Sequence, residues 1–165
     1  MEPPVSVRAE FEAAGWFAGR RVDVDHRVPP DHPAFPVLAS FGGLTVGKVG
    51  PGRECAASDI RFEYTPPSIS VANEMPELGC LRLIPVGLVH HQHGELAIDR
   101  IGRTFHFSIV HDAMSFGGDS WQEAVERLLL GLRDQPMLLP GQSEVTLYGG
   151  VYGEGHPDLY RLDLA

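Results

Sequence analysis

The amino-acid sequence predicts an α+β fold, with helices packed on one face of a mainly antiparallel sheet of about five to seven short strands. Three observations predict it. Two short apolar patterns of helical period open the chain, a run of period-two segments follows, and a single strongly amphipathic helix stands near residue 120. The regular strand-helix alternation of a TIM barrel or a doubly wound sheet is missing.

The first helix is read from Val7, Phe11 and Ala14, spaced i, i+4, i+7, with Gly15 as its stop. Trp16 to His26 reads as a short extended segment. Asp31 to Phe41 follows a Pro-Pro break and puts Phe35, Leu38 and Phe41 on one helical face. Because proline is tolerated only in a first turn, Pro36 places the regular part from about Phe35 onward.

From Leu44 the period changes to two. Leu44, Val46 and Val49 form one strand, and Ile60, Phe62 and Tyr64 another, alternating with Arg61 and Glu63. Leu81 to Val89 reads as a buried strand bent at Pro85 and Gly87. Glu95 to Asp99 and Arg103 to Ile109 form a hairpin through Arg100, Ile101 and Gly102. On its second strand Phe105, Phe107 and Ile109 oppose Thr104, His106 and Ser108.

Ser120 and Glu123 make the S-x-x-E capping pattern ahead of a stripe of Trp121, Ala124, Val125, Leu128, Leu129 and Leu132. Gly117 and Gly118 read as the turn into that helix. After Pro136, Val145 to Tyr148 and Leu159 to Leu164 return to strand patterning. The 165 residues are expected to form a single domain, with residues 134–165 as a strand-rich extension.

Composition narrows the function. The net charge of −9 repels phosphate and excludes a general nucleic-acid binder, while drawing in a basic partner. No run approaches the length of a membrane span, and the N-terminal residues lack the features of a signal peptide, so no membrane association and a cytoplasmic location are expected. The two cysteines, Cys55 and Cys80, fit free thiols in a reducing compartment and carry no nucleophile signature.

Each local motif has a bland reading beside its chemical one. His91 and His93 form an H-x-H pattern, which on a strand would put two imidazoles on one face for a metal. Glu95 stands only two residues on, and Ala97 occupies the position a cupin-type carboxylate would take, so the segment also reads as a polar turn. Gly141 to Val145 lacks the closing glycine of a serine-hydrolase elbow. No cofactor is expected, and an enzyme is not.

The window from Glu54 to Glu77 holds Glu54, Asp59, Glu63, Glu74 and Glu77 against Arg61 alone, a balance of −4. It reads as a solvated face, or equally as a docking surface in which Phe62 and Tyr64 anchor a basic partner that the carboxylates steer.

Several pieces in one order resemble the third immunity-protein family of the SUKH superfamily: Ala14-Gly15-Trp16 with Gly19-Arg20, then Phe41-Gly42-Gly43-Leu44, Ile84-Pro85-Val86-Gly87, Ile98 to Arg103, and Leu128 to Gly131. The resemblance spans roughly residues 10–133. It implies an immunity protein of a bacterial polymorphic toxin system, which binds and occludes a cognate toxin domain of nuclease or nucleic-acid deaminase type. It carries no catalytic motif. The alternatives are a small metal-binding protein or enzyme built on His91 and His93, and a regulatory scaffold domain of the same superfamily with a host partner. The oligomeric state is left open.

Overall fold

The computed structural model describes residues 1–66 and 76–162, without the side chains of residues 76 and 77. Among them three α-helices stand on one face of a seven-stranded antiparallel sheet, and a two-stranded hairpin stands apart. The helices are α1 (Arg8–Ala13), α2 (Ala34–Phe41) and α3 (Trp121–Leu130). The sheet runs β1 (Thr45–Pro51), β2 (Ala56–Phe62), β3 (Ile84–Val89), β4 (Gly94–Ile98), β5 (Thr104–Ser108), β6 (Ala113–Gly118) and β7 (Gln135–Met137), each pairing with the next in sequence. Strands β8 (Glu144–Leu147) and β9 (Gly150–Gly153) pair only with each other.

The helix face of the sheet is closed by an aromatic cluster. Phe11 of α1 and Phe41 of α2 meet at 5.0 Å between ring centroids, Phe41 meets Trp121 of α3 at 4.7 Å, and Phe62 of β2 lies 5.5 Å from Phe41. Rings at such separations add edge and offset contacts to the burial of their area. Val46, Ile60, Val86, Val89, Leu96 and Ile98 complete this layer. The opposite face is covered by the 3₁₀ turn Pro76–Leu81 and the C-terminal segment, with Tyr160 stacked on Phe116 at 3.9 Å.

Four elements differ from the sequence expectation. Residues 16–26 have no strand; Gly19, at φ +83°, turns the chain, and Val22 donates only to the carbonyl of Ala39. Strand β6 occupies Ala113–Gly118, where the glycines read as a turn. A Cβ on Gly117 would come within 3.2 Å of His106 and 3.3 Å of Ala124, so this glycine lets α3 lie close on the sheet. Residues 159–162 form no strand, and residues 163 and 164 lie outside the described residues. Ser120 caps α3 by accepting from the Glu123 N–H at 3.3 Å, but the Glu123 carboxylate returns to the Asp119 N–H, one residue earlier than the expected reciprocal bond.

His32 begins α2 in a way the sequence did not announce. Its Nδ1 accepts from the Ala34 N–H at 3.1 Å, so the proton sits on Nε2, which donates to the Arg82 carbonyl at 3.0 Å. A second proton would have to displace the bond that caps the helix. Burial holds the His32 pKa below the ordinary histidine value. The unfolded chain therefore takes up the proton first, and stability falls as pH drops through about 6.5. We expect the urea midpoint to fall between about pH 7 and pH 5, by less in His32→Asn than in the wild type; a flat or rising wild-type midpoint would contradict the assignment.

Candidate functional site

A cavity of about 510 Å³ opens on the helix face of the sheet, at the end away from the aromatic cluster. Its walls come from Leu128 of α3 and Leu132 just beyond its end, the β3–β4 turn (His90, His93), the β5–β6 turn (Val110, His111) and the β8–β9 hairpin (Leu147, Tyr148). Its floor is polar. His106 of β5 stands opposite Ser115 of β6 in the sheet register, and both reach Asp134, which follows α3.

The Asp134 carboxylate receives its side-chain bonds on one oxygen only. Oδ2 accepts from His106 Nδ1 and from Ser115 Oγ, the latter at 3.1 Å, while Oδ1 has no partner. His106 Nε2 also has none, and both orphan atoms are closed off from solvent. Each residue is only 7% exposed. Such groups are uncommon in folded proteins, because a buried acceptor left unpaired forgoes roughly 1–3 kcal/mol.

The surrounding groups respond to the same burial and charge. Burial first and Asp134 second raise the pKa values of Cys55 and Tyr148, so the thiol and the phenol both stay protonated near neutrality. Tyr148 Oη accepts the Asp134 N–H at 3.1 Å. Desolvation at the cavity mouth, with His106 nearby, lowers the pKa of His90. The guanidinium of Arg127, which lines the cavity, is engaged by Glu123 at 2.9 Å and by the Arg133 carbonyl at 2.6 Å.

A histidine with a carboxylate on Nδ1 has the form of a general base. Here no nucleophile is aligned with it: Nε2 bonds to nothing, Ser115 donates to Asp134, and the Cys55 thiol is pushed away from its reactive form. The arrangement is suited to receiving hydrogen-bond donors.

The family described as SUKH-3 immunity protein matches residues 3–131. This chain belongs to the SUKH-3 family. No curated protein and no solved structure matches the chain. The SUKH-3 match ends at Gly131, so Asp134 and the β8–β9 hairpin, with one wall of the cavity, lie beyond it. Among the described residues no helix is long and apolar enough to cross a membrane.

The expected docking residues are dispersed by their own contacts. Phe62 is fully buried in the aromatic cluster and presents nothing to a partner, which corrects its reading as an anchor. Asp59 accepts the His91 N–H at 2.8 Å, and Glu54 accepts the Arg133 N–H at 2.9 Å. Glu63 pairs with Arg61 at 2.9 Å, and the guanidinium of Arg27 lies 5.1 Å from the centroid of the half-buried Tyr64 ring. Asp59 and Arg61 alternate with the core residues Ile60 and Phe62 along β2, and Glu63 follows the strand. Glu74 lies outside the described residues, and Glu77 belongs to the Pro76–Leu81 turn.

His91 and His93 are not on a strand. His90, His91 and Gln92 take φ values of +50°, +55° and +71°, so the segment is a left-handed turn that does not place alternate side chains side by side. Ser58 and Asp59 hold that turn by accepting its N–H groups at 2.9 and 2.8 Å. No group of three or more His, Cys, Asp or Glu side chains among the described residues is arranged to hold a metal ion.

Sequence reasoning missed His106, Ser115, Asp134 and Tyr148 as a group. The one signal was the polar side of β5, Thr104 and His106, on a strand expected to lie under a helix. The two thiols give a direct test of the burial argument. With a maleimide near neutral pH we expect the exposed Cys80 to be modified well before the half-buried Cys55, read by peptide mass spectrometry; faster reaction at Cys55 would show an activated thiol and reverse the assignment.

Proposed function

We propose that this chain is the immunity partner of a secreted bacterial toxin and neutralises it in the cytoplasm by binding and occluding its toxic domain, without turnover. The observation that carries this reading is the SUKH-3 match over residues 3–131. Net charge supports the chemistry of the partner. At −9 the chain attracts a basic protein, and toxic domains that hold nucleic acid, nucleases and nucleic-acid deaminases, are basic because they must bind phosphate.

In this reading residues 1–165 act as one domain. The carboxylates of Glu54, Asp59 and Glu63, with Tyr64 beside them in sequence and Glu74 and Glu77 further along the chain, contribute to the steering field. Phe62 has no part in it. Steering charges act on the encounter more than on the complex once formed.

Co-expression with the toxin encoded beside this chain tests the proposal: cells should survive only when both are made. For the purified pair, raising salt from about 0.05 to 0.5 M should slow association by at least tenfold and change dissociation little, measured by stopped flow. Failure of rescue, or association insensitive to salt, would contradict the reading.

A further inference from the structure

The cavity on the helix face is built around a charge without a full set of partners. Asp134 is a buried carboxylate with one saturated oxygen and one orphan, and the imidazole bonded to it ends in a second orphan. When His106 is neutral, its Nδ1–H is committed to the carboxylate, and Nε2 can only accept. In that form two acceptors on one hydrogen-bonded pair, Asp134 Oδ1 and His106 Nε2, stand without a donor. Above it the walls are largely apolar, with Val89, Leu128, Leu132 and Leu147. At the rim Val110 is 64% exposed, next to Ile109 at 57%.

We infer that this cavity receives an arginine side chain of the protein partner, with its guanidinium on Asp134 and His106. The inference rests on the immunity reading and adds to it the point of contact. A guanidinium supplies several N–H donors in a planar fork, carries the charge that a carboxylate attracts, and is less strongly hydrated than an ammonium. Its methylene stem suits apolar walls, and the exposed Ile109 and Val110 suit the protein surface that surrounds such an anchor. The resident Arg127, which lines the cavity, is held away from this role by its bonds to Glu123 through Nε and Nη2 and to the Arg133 carbonyl through Nη1. Because both acceptors are closed off from solvent in the free protein, entry is coupled to a shift of the side chains above them.

The experiment has two arms, which separate failure of the site from failure of the immunity reading. In the first, the free protein is titrated with n-butylguanidinium, n-butylammonium and 1-butanol while the ¹⁵N resonances of the His106 ring are followed. Saturable millimolar binding of the guanidinium, weaker binding of the ammonium and none of the alcohol is expected. No response, or an equal response to the alcohol, overturns the inference whatever the toxin does.

In the second arm, toxin affinity is measured for the wild type, for Asp134→Asn, and for Val110→Trp, which closes the mouth from an exposed position and leaves the buried pair intact. Both variants should lose about tenfold or more in affinity. Unchanged toxin binding in the folded variants overturns the inference even if the small guanidinium binds. A wild-type chain that does not bind the toxin at all counts against the immunity reading, and the titration then decides the cavity alone.

Discussion

The close approach of Gly131 to Gly52 fixes the end of α3 against the β1–β2 turn and so sets where the chain enters the cavity floor. Helix α3 ends with Gly131 in the left-handed conformation at φ +65°, and the turn between β1 and β2 is laid directly against it. The Arg53 N–H bonds the Leu130 carbonyl at 3.0 Å, and those of Glu54 and Cys55 bond the Gly131 carbonyl at 2.8 and 3.0 Å. These contacts satisfy carbonyls that a helix end otherwise leaves open. A Cβ on either glycine would fall 2.6 Å from the Cα of the other, so no side chain fits at either position. With the helix end fixed to the sheet, Cys55 is held at the cavity wall. The chain leaving α3 has only Leu132 and Arg133 before Asp134 must stand over His106.

The helix face of the sheet is thereby divided. At one end α1, α2 and α3 bring Phe11, Phe41, Phe62 and Trp121 into a buried cluster, in which Phe11 and Phe41 each touch the other three rings. At the other end α3 covers Thr104, His106 and Ser115, and the groups meeting there are polar and incompletely paired. A sheet that needed only stability would continue the apolar layer, since replacing hydrogen-bonded polar groups by packed apolar ones of the same shape is nearly neutral or favourable. Retaining a carboxylate with an orphan oxygen is the less stable choice, and a cavity directly above it gives that choice a use.

The sequence carried the elements better than it carried the site. Helix α3 was legible because a cap, an apolar stripe and a terminal glycine agree with one another. The β4–β5 hairpin was legible too, and the structure shows why its turn is sharp: the Asp99 carboxylate accepts the N–H groups of Ile101 and Arg103 at 3.0 and 2.8 Å and pairs with the Arg103 guanidinium. Strand β6 was hidden because Ala-Met-Ser-Phe-Gly-Gly has neither β-branched residues nor charge alternation, and its glycine answers to packing against His106. The acidic window misled at Phe62 because alternation along a strand shows that two faces differ and not which face is buried. His106, Ser115, Asp134 and Tyr148 come from four separate parts of the chain, so no spacing rule could join them before the sheet register was known.

The extent of the family match gives this division a further meaning. It ends at Gly131, the residue that locks α3 to the sheet, so the scaffold up to and including that lock lies inside the SUKH-3 segment. The carboxylate on the floor and the hairpin that supplies Leu147 and Tyr148 to the wall come after it. A change in the hairpin alters the shape of the cavity without touching the aromatic cluster or the glycine contact, whereas a side chain at Gly52 or Gly131 would push the end of α3 away from the β1–β2 turn. Selectivity for one partner is most cheaply placed outside the shared core, and here the β8–β9 hairpin, beyond the matched segment, stands beside a buried carboxylate that is incompletely paired.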